Sequence, residues 1–285
     1  MSRVLFLGFG YVAGEMAPAL AGRGWRFAGT SRDEARRQAI AALGGEAIDP
    51  GDAAALARAA GEATHLVVSA APSGGDPFLT AHGDLLRRNS GRLEWIGYLS
   101  ATSVYGVTDG RWVDEESETV PLGRRGADRL AAERAWSAFG EETGVACVRF
   151  RLAGIYGPGR NALEQIRAGT ARRIVKPGQV FNRIHVADII HVVAASMAMP
   201  GAGSVFNVAD DCPAPPQDVI AYAAALLGVP APPEEPFSTA SLTPMSASFY
   251  AENKRMRNAR IKTRLGVRLA YPEYRAGLDA LHADA

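Results

Sequence analysis

Short apolar runs alternate with longer segments of helical periodicity over much of the chain. The runs predict buried strands at residues 3–7, 25–29, 65–71, 93–99, 146–152 and 205–208. The segments between them predict helices at 13–22, 33–43, 52–60, 130–143 and 187–199. Strands separated by helices pair in parallel, with crossover helices on both faces of the sheet. The pattern therefore predicts a doubly wound α/β sheet.

A glycine-rich loop follows the first predicted strand directly. Its sequence, Gly8-Phe9-Gly10-Tyr11-Val12-Ala13, fits G-x-G-x-x-G/A and opens a predicted helix. The first glycine permits a tight turn, the second lets the backbone approach a pyrophosphate, and a small third residue lets helix and strand pack closely. Amides at the helix N-terminus suit an anion. We therefore predict a dinucleotide-binding Rossmann sheet, with Gly8, Gly10, Tyr11, Val12 and Ala13 at the cofactor. The alternative is a glycine turn that serves only helix packing.

The end of the second predicted strand bears on the choice of cofactor. An NAD site usually has Asp or Glu there for the ribose 2′-hydroxyl, and Thr30-Ser31-Arg32 offers none. Hydroxyls and a guanidinium suit a 2′-phosphate. We predict NADP(H), with NAD(H) as the alternative if Asp33 turns inward and Arg32 is only a solvated charge. Since ligands lie outside the carboxyl ends of the strands, the wall beside the cofactor is predicted at Ser69, Ala70 and Ala71.

The pattern changes after Gly157-Pro158-Gly159. Shorter elements follow, with helices predicted at 162–169, 217–227 and 274–283 and strands at 174–175 and 183–186. We predict that residues 1–160, completed by 187–210, form the dinucleotide-binding core. Residues 161–186 and 211–285 are predicted to form a smaller C-terminal lobe that binds substrate.

Further motifs occur in order over roughly residues 1–210. They are Leu99-Ser100-Ala101-Thr102-Ser103-Val104-Tyr105-Gly106, Arg151-Leu152-Ala153-Gly154-Ile155-Tyr156-Gly157-Pro158-Gly159-Arg160, Asn182-Arg183-Ile184-His185-Val186-Ala187-Asp188 and Phe206-Asn207-Val208-Ala209-Asp210. With the glycine loop, they make the chain resemble the extended and atypical short-chain dehydrogenase/reductases, specifically the NAD-dependent epimerase/dehydratase-like group. The resemblance implies a nicotinamide dinucleotide and a small or nucleotide-linked substrate, without saying which one.

The resemblance also implies a catalytic Ser or Thr, a Tyr, and a Lys four residues after the Tyr. The Tyr exchanges a proton with the substrate oxygen, which requires a phenol whose pKa is lowered by an adjacent cation. Here Ala101 stands at the hydroxyl position, so neighbouring Thr102 is the candidate replacement. Arg125 and Arg129 stand at the Tyr and Lys positions, one helical turn apart. Arg129 can still bind ribose or phosphate, but Arg125 cannot act as a proton donor because a guanidinium is not deprotonated in proteins.

Other side chains near the predicted cleft are candidates for the missing roles. Tyr156 follows a predicted strand on the cofactor side and is a candidate acid, while Tyr105 is a candidate substrate contact. Both tyrosines can equally pack their rings and bond backbone groups. Arg183 is a candidate substrate ligand. His185 and Cys147 alternate with apolar neighbours and fit structural positions better than catalytic ones.

Composition limits the classes of partner. A formal net charge of +1 gives no basic field for nucleic acid. No apolar run approaches the roughly 18 residues of a membrane span, and the start of the chain lacks the apolar core of a signal peptide. The two cysteines form no CxxC pair and predict neither disulfides nor a metal site. We predict a cytoplasmic monomer or homodimer that takes a small-molecule substrate.

Two functions stay open from the sequence. The first is an NADP-dependent oxidoreductase or epimerase/dehydratase with altered catalytic groups. The second is a cofactor-binding sensor or regulatory protein without turnover, favoured by the loss of the Tyr and Lys. The intact glycine loop disfavours a third, purely structural role.

Overall fold

The computed structural model describes residues 2–284. Its strands are β1 Arg3–Leu7, β2 Arg26–Thr30, β3 Glu46–Ile48, β4 His65–Val68, β5 Trp95–Ala101, β6 Trp112–Val113, β7 Ala146–Leu152, β8 Gly154–Tyr156, β9 Arg173–Val175, β10 Arg183–His185, β11 Val205–Val208, β12 Glu234–Pro236 and β13 Arg255–Met256. Its helices are α1 Tyr11–Ala21, α2 Glu34–Ala42, α3 Ala53–Glu62, α4 Pro77–Arg88, α5 Arg124–Thr143, α6 Ala162–Arg167, α7 Val186–Ala198, α8 Pro216–Leu226, α9 Pro244–Ala251, α10 Ala259–Leu265 and α11 Tyr274–Ala283. A 3₁₀ turn covers Thr102–Val104.

The central sheet has seven parallel strands in the order β11-β7-β5-β4-β1-β2-β3. The chain starts in the middle, at β1, and the direction of winding reverses between β1 and β4. Val4 of β1 pairs with Phe27 on one side and with His65 on the other. The predicted doubly wound Rossmann sheet is confirmed. Ligands of such sheets bind at the carboxyl ends of the strands where the order reverses, which here means the loops after β1 and β4.

Each face of the sheet has its own apolar cluster. On one face, Phe6 packs with residues of α1 and α7. On the other, Leu5 packs with residues of α3, α4 and α5, among them the fully buried Trp136. Because both faces are covered, the strands are continuous apolar runs, and that is the pattern from which they were predicted.

A third apolar cluster lies outside the sheet. It joins α6, α8 and α11 through buried side chains such as Leu163, Ile220 and Leu278. The Tyr222 hydroxyl donates to Asp279 (2.7 Å), which adds a polar contact between α8 and α11. The domain bounds given above stay a prediction.

Some elements were not predicted. The strand β3 has three residues, too few for a pattern. The helix α4 begins at Pro77, and Asp76 caps it by accepting from the amides of Phe78 and Leu79. The helix α5 begins at Arg124, earlier than predicted, because its first turns are polar. Within residues 2–284, no helix is long and apolar enough to cross a membrane.

Candidate functional site

The glycine loop is held between the ends of β2 and β4. Gly8 has φ +89°, and its amide donates to the Thr30 hydroxyl (2.8 Å), while the Ser69 hydroxyl donates to the Gly8 carbonyl (2.6 Å). A Cβ atom at Gly8 would lie 2.8 Å from the amide nitrogen of Ala70. Both the conformation and the close approach therefore require glycine. Thr30, Ser69 and Ala70 thus shape the loop, whereas Ala71 is exposed beyond it.

The start of α1 is open toward a cavity. Gly10 precedes the helix, and no side chain caps it. A Cβ atom at Gly10 would meet no other atom within 4 Å, while Ala13, the third motif position, is fully buried against the sheet. Gly10, Tyr11 and Val12 line the cavity. Free first-turn amides beside open space fit an anionic group such as a pyrophosphate.

The residues after β2 have separate roles. The Thr30 hydroxyl is buried and fully used, because it also donates to the Phe6 carbonyl (3.2 Å). The Ser31 hydroxyl accepts from the Asp33 amide (3.1 Å), and the Asp33 carboxylate caps α2. Arg32 is exposed and makes no ion pair within residues 2–284. Sequence reasoning missed Arg37, whose guanidinium donates to the Ser31 carbonyl (2.8 Å).

A cavity of about 1000 Å³ runs from the start of α1, past the ends of β5 and β7, to the C-terminal lobe. Thr102 and Ser103 line it from the turn after β5. Phe249 lines it from α9, in the C-terminal part of the chain. Thr102 is among the residues that line this space, and its hydroxyl makes no hydrogen bond to the described residues. Thr102 thus lines the cavity while its catalytic role stays a prediction, and Ser103 is a neighbour that sequence reasoning missed.

The first two turns of α5 line the same part of the cavity as Thr102 and Ser103. Gly126 permits this approach, because a Cβ atom there would lie 2.5 Å from the Ser103 carbonyl oxygen. The Arg129 guanidinium donates to the Leu99 carbonyl (3.0 Å). Arg125 is exposed, and its Cζ lies 5.7 Å from the centroid of the Phe249 ring. The structure thus brings Arg125 and Arg129 together with Thr102.

Below this wall lies a buried polar network. Glu133 accepts from the Ser100 hydroxyl (2.5 Å) and from Nε (3.2 Å) and Nη2 (2.9 Å) of Arg151. Arg151 also donates to the Tyr105 hydroxyl (2.9 Å), which donates to Asn207 (2.6 Å). Tyr105 therefore belongs to this network and does not line the cavity, contrary to its predicted substrate contact. The network joins residues that are far apart in the chain, so no local sequence motif predicts it.

Tyr156 is poorly suited to act as an acid. Its hydroxyl is buried without a hydrogen-bond partner in residues 2–284, and burial raises its pKa above the usual value. A Cβ atom at Gly277 would lie 2.1 Å from this hydroxyl oxygen, so the ring packs directly against α11. Neighbouring His185 accepts from the Ala187 amide (3.2 Å), and burial lowers its pKa to about 4. His185 is thus a neutral capping residue, as its apolar neighbours indicated.

The cavity carries uncompensated positive charge. Some of its cations have partners, as in the Arg172–Glu235 pair (2.6 Å). Other lining arginines form no ion pair within the described part of the chain. These are Arg125, Arg129, Arg160 and Arg183. Such a cavity favours an anionic occupant.

Known structures similar to this chain cover nearly all of its length. A conserved protein of unknown function from Silicibacter pomeroyi is 52% identical, with 100% of this chain and 99% of that chain covered and a TM-score of 0.92. A proposed NAD-dependent epimerase/dehydratase from Methylobacillus flagellatus is 25% identical over 99% of this chain and 98% of that chain, with a TM-score of 0.70. The structural neighbours with a named function are NAD-dependent epimerase/dehydratase-like short-chain dehydrogenase/reductases. This confirms the resemblance found in the sequence.

A more distant structure shares the fold of this family. The UDP-glucuronic acid 4-epimerase from Bacillus cereus, solved in complex with NAD, is 19% identical over 99% of this chain and 96% of that chain, with a TM-score of 0.74. No family model and no curated protein matches the sequence.

Proposed function

We propose that this protein is an NADP(H)-dependent oxidoreductase that acts on a small anionic molecule bound beside the cofactor. The observation that carries the proposal is the uncapped start of α1, which opens at Gly10 into the same cavity as Arg125 and Arg129. Cofactor and substrate can therefore share one space. The relatives in this family, one named as an NAD-dependent epimerase/dehydratase, add support.

The cofactor contacts follow from the loop geometry. The amides at the start of α1 would hold the pyrophosphate, because Gly10 leaves the backbone accessible. Arg32 would bind a 2′-phosphate, since it is exposed and unpaired within residues 2–284 at the carboxyl end of β2. Arg129 of α5, whose guanidinium donates to the Leu99 carbonyl of β5, would contact the ribose. When bound, the dinucleotide supplies or accepts a hydride.

The end of the cavity where the reaction would occur has Arg125 and Arg129 at the positions where the family resemblance implies a tyrosine and a lysine. Negative charge that develops on a substrate oxygen at this wall would be stabilised by the Arg125 guanidinium and the Thr102 hydroxyl. A guanidinium does not serve as a proton donor in proteins, so Arg125 acts as a fixed charge. Water supplies the proton instead, and it can reach this end because Arg125 is exposed.

Cofactor titration tests the first half of the proposal. Fluorescence titration with NADPH and NADH should show tighter binding of NADPH. Arg32→Ser should weaken NADPH binding about tenfold or more, the value of a charge-assisted contact, and leave NADH unchanged. Arg26→Ser is the matched control, because Arg26 is an exposed arginine at the opposite end of β2. Equal loss in both variants, or no binding of either dinucleotide, would refute this reading.

Turnover separates the oxidoreductase from a second candidate, a cofactor-binding sensor. Burial raises the pKa of cavity-lining Tyr11 to about 12 and that of Tyr156 further, so neither phenol is poised for proton transfer. That observation favours the sensor. A panel of anionic aldehydes and ketones, followed by loss of NADPH absorbance, decides between them. Consumption that falls in Arg125→Gln supports the oxidoreductase; saturable binding with no consumption for any panel member supports the sensor.

A further inference from the structure

The lobe end of the cavity contains an arginine on a rigid frame. Arg183 lies in β10, and its Nη1 donates to the carbonyl oxygens of Phe181 (3.0 Å) and Ala214 (3.1 Å). Phe181 and Ala214 also bond each other through reciprocal backbone hydrogen bonds of 3.0 and 3.1 Å. The guanidinium is therefore fixed by backbone atoms and not by a flexible side chain.

The other edge of this guanidinium is free. Its Nε and Nη2 make no hydrogen bond to residues 2–284, and neither atom is sealed from solvent. Arg183 lines the cavity, so this edge is accessible from it. Two parallel N–H donors match the two oxygens of a carboxylate or a phosphate.

Burial leaves the positive charge without a full counterion. Desolvation lowers the pKa of Arg183. The carboxyl that acts on it most strongly is Asp210, whose amide donates to the Arg183 carbonyl (2.7 Å). Burial raises the pKa of Asp210 to about 8, so this carboxyl is mostly protonated near neutral pH. Buried charges in proteins are ordinarily paired, and Arg183 forms no ion pair within residues 2–284, so an anion bound in the cavity can serve as its partner.

The cavity wall that the lobe contributes is mixed, and one part of it is apolar. Val219 and Ile220 come from α8 and Leu278 from α11. The guanidinium of Arg183 lies over the Tyr274 ring, with Cζ 6.0 Å from the ring centroid. Apolar surface combined with a few convergent polar groups is the usual composition of a small-molecule site.

We propose that the Arg183 edge binds the carboxylate or phosphate of a substrate whose remaining body is apolar. This inference rests on the proposed function, because it names the class of molecule that lies beside the cofactor. The anionic group lies against the lobe, and the body rests on Val219, Ile220 and Leu278. The reacting carbon of the substrate then lies near Thr102 and Arg125.

Isosteric probes test the inference directly. Phenylacetate, phenyl phosphate and the uncharged phenylacetamide are titrated by calorimetry into protein saturated with NADP⁺. An anionic probe should bind at least about tenfold more tightly than the amide, as expected for a hydrogen bond to a charged group. Comparison of phenylacetate with phenyl phosphate tells which anion the site prefers. Equal binding of anion and amide, or no binding of any probe, overturns the inference.

Variants locate the anion. Arg183→Gln should remove the preference for the anion, and Arg183→Lys should restore part of it, since lysine keeps the charge but loses the fork. Arg167→Gln is the matched control, because Arg167 is an exposed arginine of α6 paired with Glu164 outside the cavity wall. Anion binding that survives Arg183→Gln but is lost in Arg125→Gln places the anion at the other end and overturns the inference.

A measurement on the wild-type protein covers the case in which the Arg183 variants do not fold. The Arg183 side-chain Nε–H resonance should shift when the anionic probe is added and stay unchanged with the amide. No shift at saturating probe overturns the inference. Cofactor fluorescence is recorded separately, so failure of dinucleotide binding refutes the proposed function, whereas normal cofactor binding without anion preference refutes only the Arg183 assignment.

Discussion

Removing the carboxylate of Glu133 should be severely destabilising. Glu133 is 1% exposed and is the ion-pair partner of Arg151, whose side chain is 7% exposed. In Glu133→Met the volume and helix propensity are nearly kept, but the Arg151 charge stays buried without a partner. Breaking a buried pair in this way costs about 3–5 kcal/mol.

The cost converts into a measurable melting temperature. Unfolding entropy is about 2.1 cal/mol/K per residue, or roughly 0.6 kcal/mol/K for a chain of this length. A loss of about 4 kcal/mol therefore lowers Tm by about 7 °C. Circular dichroism melts of wild type and variant provide the assay, with Glu141→Met as the control. Glu141 is exposed on the same helix, so its variant should stay within about 0.5 kcal/mol of wild type.

A double variant separates lost charge pairing from lost packing. Glu133→Met combined with Arg151→Met removes both charges, and replacement of a buried pair by apolar residues is often close to neutral. The double variant should therefore melt well above Glu133→Met alone. If Glu133→Met melts like the Glu141 control, or if the second substitution adds its full cost to the first, the carboxylate does not compensate Arg151 and the reasoning fails.

Three further predictions concern other buried groups. Gly277→Ala should destabilise the protein by about 1–3 kcal/mol through overpacking, because its Cβ would meet the Tyr156 hydroxyl; Gly83→Ala, which meets nothing within 4 Å, should not. A Tm change as small as that of the Gly83 variant would contradict this. Burial raises the pKa of Cys147 to about 12, so iodoacetamide should label it slowly in native protein and quickly in urea; equal rates would count against the burial. Burial raises the pKa of Asp210 to about 8, well above its unfolded value of about 3.9. Its ionisation therefore opposes folding as pH rises from about 4 to 8 and adds nothing further above that window. Asp210→Asn should accordingly gain stability relative to wild type across this window in urea unfolding at matched pH, and a constant difference would refute it.

Strands buried on both faces were the most predictable elements. The runs 146–152 and 205–208 match β7 and β11 to the residue, because a covered strand shows no polar alternation. The helix α4 escaped prediction although Asp76 and Pro77 are a good capping signal. Its exposed face and its internal Gly83 left only Phe78 and Leu86 buried, which is too weak an apolar pattern.

The glycine loop was predictable because its chemistry is local. Gly8, Gly10 and Ala13 lie within a few residues of one another, and each has a separate geometric reason to be small. Tyr105 shows the opposite case. Its hydroxyl is bound by Arg151 and Asn207, 46 and 102 residues away along the chain. Only the folded sheet brings these groups together, so the sequence could not distinguish a buried hydroxyl from one that faces a ligand.

The spacing on α5 has a consequence for engineering. Arg125, Arg129 and Glu133 are spaced by one helical turn each. Glu133 is bound by Ser100 and Arg151. The contacts of Glu133 therefore hold the first turns of α5 in place independently of the side chains at positions 125 and 129. Two substitutions, Arg125→Tyr and Arg129→Lys, would introduce on this helix the Tyr and Lys that the family resemblance implies at these positions. The chain could in this way report how much of that chemistry resides in two side chains and how much in the surrounding cleft.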